Sequence, residues 1–187
     1  LEDSYEDSLA AYRQALDLYR QVEECEEDQA DCLGGIGRAL RGLGRHEKAL
    51  EAFRQSLEAY RTVPGTVRQQ ADCLLRAGNA LDDLGRYAEA LTAYHQALEA
   101  YRQVEGSERS QAVCILDTGN ALGDLGRYEE ALASYRKALE LYRSQGGTER
   151  EQAMCLRNTG LALRTVGRQE EARAAFQDAL SLYRRGR

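Results

Sequence analysis

Apolar residues recur along this chain at helical spacing. Between Gln70 and Leu84, the residues Ala71, Leu74, Ala77, Gly78, Leu81 and Leu84 fall at steps of three and four. Such a stripe marks one buried helix face, with charged and amide residues on the other. Gly85 follows at once and predicts a helix stop, because glycine takes the left-handed conformation that turns the chain. Ala90, Leu91, Tyr94, Ala97, Leu98 and Tyr101 form a second stripe, which predicts a helix from Tyr87 to about Val104. Gly106-Ser107-Glu108 breaks it, as Pro64-Gly65 and Gly146-Gly147 break its equivalents. The segment reads as two helices packed together. Gly78, Ala80, Ala90 and Ala97 stand where two backbones would approach.

This pattern repeats with a fixed step of 41 residues. Gly-Arg stands at Gly44-Arg45, Gly85-Arg86, Gly126-Arg127 and Gly167-Arg168. The same step relates Gly37, Gly78, Gly119 and Gly160. It also relates Cys32, Cys73, Cys114 and Cys155, and the tyrosines Tyr19, Tyr60, Tyr101, Tyr142 and Tyr183. A period of this size means stacked supersecondary units rather than a globule around one core. The chain opens inside a unit: Tyr5, Leu9, Tyr12, Ala15, Leu16 and Tyr19 match a second helix without its first. The expected layout is a lone helix over residues 1–24 and helix pairs over 27–64, 68–105, 109–146 and 150–187. That makes nine helices, with no strand.

Coupled positions now match a known family. Gly78, Leu81, Gly85, Ala90, Tyr94 and Ala97 are echoed by Gly119, Leu122, Gly126, Ala131, Tyr135 and Ala138. Gly160, Leu163, Gly167, Ala172, Phe176 and Ala179 repeat them again. Gly37, Leu40, Gly44, Ala49 and Phe53 follow suit, with Ser56 in place of the last alanine. The chain resembles the tetratricopeptide repeat. The step is longer than that family's usual one, Leu33, Leu74, Ile115 and Leu156 replace an aromatic, and the closing proline is missing. In this it is similar to the long repeats of kinesin light chains and LGN/Pins-type adaptors. The resemblance implies an all-α, right-handed superhelical solenoid of antiparallel helix pairs.

Composition narrows the function classes. The 187 residues are 43% hydrophobic and 30% charged, with a net charge of -6. An acidic chain disfavours nucleic acid, whose phosphates need a basic face. No apolar run approaches the ~20 residues that span a bilayer, so no membrane role is expected. Absence of Met at Leu1 predicts a piece of something longer. Four of the five cysteines share one repeat position, and adjacent helices would hold them roughly 9–10 Å apart. A disulfide needs Cα atoms within about 7 Å. The cysteines therefore read as small core residues, and a reduced, cytoplasmic setting suits them. His46 and His95 lack partners at ligand spacing, so neither catalysis, metal nor cofactor is expected. Gly34-Gly35-Ile36-Gly37 lies inside a helix rather than after a strand, which argues against a phosphate loop. The acidic run Glu23, Glu24, Glu26, Glu27 and Asp28 reads as a solvated helix junction.

The resemblance further implies that the first helix of each pair lines a concave groove. Mapped residue by residue, the groove candidates are Arg38 and Arg41 in the first pair and Arg76, Asn79, Asp82 and Asp83 in the second. Asp117, Asn120 and Asp124 come from the third, and Arg157, Asn158 and Arg164 from the fourth. Asp31, Gly34, Gly35, Asp72, Leu75, Val113, Leu116, Met154 and Leu161 share these faces. Asn79 and Asn120 carry both a donor and an acceptor, which would grip the backbone of an extended peptide. Equally, they would bond water or a neighbouring helix. The expected function is a protein-interaction scaffold with a protein or peptide partner. Two alternatives stand beside it: a ligand-sensing segment of a larger signalling ATPase or transcription regulator, and a self-assembling array. Apolar residues on the first helix (Leu9, Tyr12, Leu16, Tyr19) and the last (Phe176, Leu180, Tyr183) predict end-to-end homo-oligomers.

Overall fold

The structure, a computed structural model, describes residues 2–146 and 148–185. Leu1, Gly147, Gly186 and Arg187, on which parts of the expected spans and of the third break fall, lie outside the described residues. Among the described residues there are nine helices and no strand: α1 (Glu2–Tyr19), α2 (Glu26–Gly42), α3 (His46–Thr62), α4 (Val67–Asp83), α5 (Tyr87–Tyr101), α6 (Glu108–Asp124), α7 (Tyr128–Gln145), α8 (Glu149–Thr165) and α9 (Gln169–Arg185). None of these helices is long and apolar enough to cross a membrane. The chain forms two compact units, Leu1–Ala100 and Tyr101–Arg187.

Each Gly-Arg dipeptide closes a first helix. Gly44, at φ +69°, sends its N–H to the Arg41 carbonyl, and the Arg45 N–H reaches back to Leu40, both at 2.9 Å. This double closure satisfies carbonyls that the helix end leaves open, and its left-handed residue favours glycine. The same pair of bonds recurs at Gly85-Arg86, Gly126-Arg127 and Gly167-Arg168. The arginine then starts the second helix. Arg86, Arg127 and Arg168 clamp Glu89, Glu130 and Glu171 at 2.6–2.7 Å through two nitrogens each. The arginine holds each of these carboxyls below its usual range. Lys48 stands at the glutamate's place in the first repeat, and Arg45 turns to Glu6 of α1 at 2.5 Å.

The repeated glycines of the first helices support the aromatic rings of the second. A Cβ at Gly78 would meet the Tyr94 ring at 2.5 Å, and one at Gly119 the Tyr135 ring at 2.6 Å. Phe53 covers Gly37 and Phe176 covers Gly160 in the same way. The close approach expected between two backbones is thus made by a ring lying against a helix without a side chain. Cys32, Cys73, Cys114 and Cys155 are buried, as their shared position predicts. Burial pushes the Cys155 thiol up to about 12 and raises Cys32 and Cys73 too. Ser56, in place of the repeat's alanine, is fully buried and donates to the Ala30 carbonyl at 2.7 Å.

Between repeats a hydroxyl clasp sets the helix ends. Thr66, Ser107 and Thr148 are buried and donate to the carbonyls of Tyr60, Tyr101 and Tyr142 at 2.7, 2.5 and 2.6 Å. Gln70, Gln111 and Gln152 donate to those hydroxyls at 3.0–3.2 Å. α5 stops at Tyr101 rather than Val104, and the chain turns at Gly106 (φ +69°). α4 begins at Val67, three residues ahead of the stripe at Gln70. The lone first helix differs from expectation in exposure. Leu9 and Leu16 are buried, because α1 packs on α2. Apolar exposure on α1 falls on Leu18 and, less, on Tyr5, and in α9 on Leu180.

Candidate functional site

In the first unit, α1 to α4 enclose a pocket of about 330 Å³. Arg38, Arg41 and Gly42 of α2 line it, with Arg76 and Asp83 of α4, Tyr5 of α1, and His46 and Phe53 of α3. Glycine makes room for α1 here. A Cβ at Gly42 would meet the Tyr5 ring at 2.6 Å, and one at Gly35 the Tyr12 ring at 2.5 Å. Arg41 holds Asp83 with two nitrogens, at 2.5 and 3.3 Å. His46 Nδ1 lies 3.3 Å from the same carboxylate without hydrogen-bond alignment. Arg38 donates to the Tyr12 hydroxyl at 3.3 Å, and its guanidinium lies 5.9 Å from that ring's centre. A smaller pocket of about 90 Å³ shares Arg38 and Arg76 and adds Asp31, Tyr60 and Asp72. There the Tyr60 hydroxyl donates to Asp31. Burial first, and that carboxylate second, hold the Tyr60 proton well above the usual phenol range.

The second unit carries a pocket of about 400 Å³ between α6 and α8. Asn120 and Asp124 line one side, Arg157, Asn158, Leu161 and Thr165 the other, and Tyr128 and Tyr135 of α7 the floor. Asn120 Oδ1 accepts from Tyr135 at 3.2 Å and from Asn158 Nδ2 at 2.8 Å. Its Nδ2 reaches Asp117 at 3.5 Å. Arg157 Nε lies 3.4 Å from Asn158 Oδ1. Burial raises the Tyr135 proton affinity, which keeps the hydroxyl a donor. Arg157 and Asp124 are exposed, and Leu161 is 38% exposed, so both charge and apolar surface are open to a ligand.

Not every candidate residue reaches a pocket. Asn79 accepts from the Tyr94 hydroxyl at 2.9 Å and lines neither. Arg164 lies instead at a fourth pocket, beside Phe176 and Leu180. The asparagines follow a rule within the chain. Fifteen residues separate Asn79 from Tyr94 and Asn120 from Tyr135. Where the aromatic is phenylalanine, the matching residue is Arg38 or Leu161. A tyrosine hydroxyl and an amide thus occur together or not at all, which assigns the amide oxygens to the helix pair. Sequence reasoning missed Tyr5, His46 and Tyr128 as pocket walls. Their shared repeat position, which directly follows the Gly-Arg at His46 and Tyr128, was the available signal.

Comparison with known proteins agrees with the geometry. A family model of the tetratricopeptide repeat matches residues 1–62, 69–144 and 114–185. No curated protein matches the sequence significantly. Solved structures with a similar fold include BtubC (BKLC) from P. vanneervenii, at 17% identity and a TM-score of 0.85 over 96% of this chain and 73% of that one. A kinesin-light-chain-like protein from Podosopora anserina with nearly identical TPR-like repeats aligns at 14% identity and a TM-score of 0.77, covering 96% and 87%. A Rap protein complexed with competence and sporulation factor aligns at 20% identity and a TM-score of 0.76. That match covers 96% of this chain, which spans 51% of the Rap protein's length. At these identities the likeness shows the fold. With its helix pairs, ring-on-glycine packing and family match, the chain belongs to the tetratricopeptide-repeat family, a fold that generally mediates protein–protein interaction.

Proposed function

We propose that this chain is an interaction scaffold that holds an extended peptide segment of a partner against its first helices. One observation carries the reading: in each unit, side chains from successive first helices meet around an open pocket of several hundred Å³. In the second unit Arg157, Asp124 and Leu161 offer a cation, an anion and an apolar contact within one such pocket. A peptide backbone with mixed side chains matches that set better than a small apolar molecule does. The Rap protein seen with competence and sporulation factor supports the reading by fold. The test is an immobilised array of twelve-residue peptides probed with the folded chain. Leu161→Glu should weaken the bound peptides at least about tenfold, roughly 1.4 kcal/mol. Lys137→Glu, exposed on α7 and outside both pockets, should leave them unchanged. An array without bound peptides, or equal losses in both variants, defeats the proposal.

A further inference from the structure

We infer that the first unit binds a small, uncharged, hydrocarbon-rich molecule between its second helices, in a pocket over Ala77. This goes beyond the peptide reading and does not rest on it. Residues of α3, α4 and α5 enclose a volume of about 290 Å³ there. It has only Phe53 in common with the pocket of Arg38 and Arg41. Leu50, Leu57, Ala77, Leu81 and Ala93 form its interior and are all buried. Leu57 and Leu74 join it to the core cluster that holds Tyr60. The repeat explains the opening. The step of 41 residues puts Ile36, Thr118 and Thr159 at the position of Ala77, and alanine is the smallest of the four. A gap in an apolar wall forfeits packing contacts, and water inside it finds few partners. An apolar guest restores the contacts. A cavity of about 150 Å³ with walls of this kind holds benzene, so this one has room for roughly two such rings.

The rim sets the class of guest. Arg54, Glu89, Thr92 and Gln96 line the pocket and are exposed. Arg54 and Glu89 carry opposite charges. Arg86, which clamps Glu89, also lies 3.6 Å from Glu47, so the charges around the mouth balance. A balanced rim exerts no net pull on an ion, which favours a neutral molecule over a fatty acid. Thr92 donates to the Ala88 carbonyl at 3.2 Å. Among the described residues the Gln96 amide makes no hydrogen bond, so it can meet one polar group of the guest. The same rim argues against a protein in this place. Among the described residues α3, α4 and α5 expose no large apolar side chain. A protein face would meet polar atoms first, whereas the apolar wall lies recessed within reach of a small molecule.

The experiment titrates the whole chain with N-phenylnaphthylamine, an uncharged probe that fluoresces on leaving water. Anilinonaphthalene sulfonate, the same rings with a sulfonate added, is the charged counterpart. Binding of the neutral probe should saturate, and the sulfonate should bind more weakly. Ala77→Ile occupies the same room and should weaken the neutral probe at least about tenfold. Its melting temperature should hold or rise, because isoleucine already stands at this position in the first repeat. Thr92→Phe, at the exposed mouth, should weaken the probe too and decides the matter if Ala77→Ile does not fold. Thr159→Ile, at the same repeat position in the second unit, should leave the affinity unchanged. Overturning results are a neutral probe that does not saturate, a sulfonate that binds as well or better, or wild-type affinity in folded Ala77→Ile or in Thr92→Phe. Release of the probe as the chain dimerises at rising concentration, seen by sedimentation, would give the pocket to a second copy and overturn the assignment as well.

Discussion

Tyr135 in the third repeat and Phe53 in the first occupy the same repeat position and rest on equivalent glycines, Gly119 and Gly37. Only the tyrosine carries a hydroxyl, and it binds Asn120. Phe53 leaves its matching residue, Arg38, to turn towards Tyr12 of α1. The junctions differ likewise. Ser107 and Thr148 clasp the ends of α5 and α7, while Cys25 stands at that position before α2. Gln29, the counterpart of Gln111, then reaches the Tyr19 carbonyl directly at 3.3 Å. Gly35 and Gly42 receive tyrosine rings where the third repeat has Asp117 and Asp124. The comparison teaches that the ring-on-glycine contact is held in every pair. The polar positions around it are reassigned to fit α1.

The sharpest way to break the comparison is to fill the glycines. Gly119→Leu should destabilise by about 2–4 kcal/mol, because a side chain there collides with the Tyr135 ring. Gly35→Ala should also destabilise, by roughly 1–3 kcal/mol, since its Cβ would meet Tyr12. Asp117→Ala, at the equivalent of Gly35, should stay within about 1 kcal/mol. Denaturant unfolding measures all three. A Gly35→Ala protein as stable as Asp117→Ala would mean that α1 is not seated as described.

Much of this was legible beforehand, for reasons visible in single residues. Gly-Arg at a strict step, followed by a fresh apolar stripe, leaves one way to fold: a left-handed glycine, then a second helix. Gly78 and Tyr94 were legible as a pair of repeat positions, but not as a ring on a bare helix face. Spacing alone does not say whether backbone or side chain fills the gap. The clasp was missed because Thr66, Ser107 and Thr148 look like ordinary break residues, and their partner carbonyls carry no sequence signal. The roles of Arg38, Arg41 and Arg76 were not separable either. Which arginine finds an aspartate depends on distances between helices, and only the structure gives Arg41 to Asp83.

The clasp gives a second, smaller test. Ser107→Ala should cost about 0.5–1.5 kcal/mol, because the Tyr101 carbonyl loses one of its donors, keeping the Val104 N–H, and Gln111 loses its acceptor. Cys25→Thr should move the other way and gain about 0.5–1.5 kcal/mol if the new hydroxyl reaches the Tyr19 carbonyl. Melting curves of both variants decide. A destabilised Cys25→Thr would show that the first junction has its own backbone course and cannot accept the clasp of the later ones.

The smallest effect belongs to the hydroxyl–amide pair itself. Tyr135→Phe should cost about 0.5–1.5 kcal/mol, the net worth of one hydrogen bond, because ring and glycine stay in contact. Asn120 would keep its bond from Asn158, which limits the loss. In the first repeat, Phe53→Tyr alone should bring little gain, since Arg38 offers the new hydroxyl no acceptor and already donates to the Tyr12 hydroxyl. Combined with Arg38→Asn, the tyrosine should recover the arrangement of the third repeat. The pair should then be more stable than the sum of its single changes by about 0.5–1.5 kcal/mol, a coupling that a double-mutant cycle in denaturant reads directly. The ring position fixes this expectation: Phe53 already lies over Gly37 as Tyr135 lies over Gly119, so the added oxygen would point at residue 38. Strict additivity would mean that the first repeat holds its aromatic ring at a different height, and that its departure from the Tyr–Asn rule reflects backbone geometry rather than the release of Arg38.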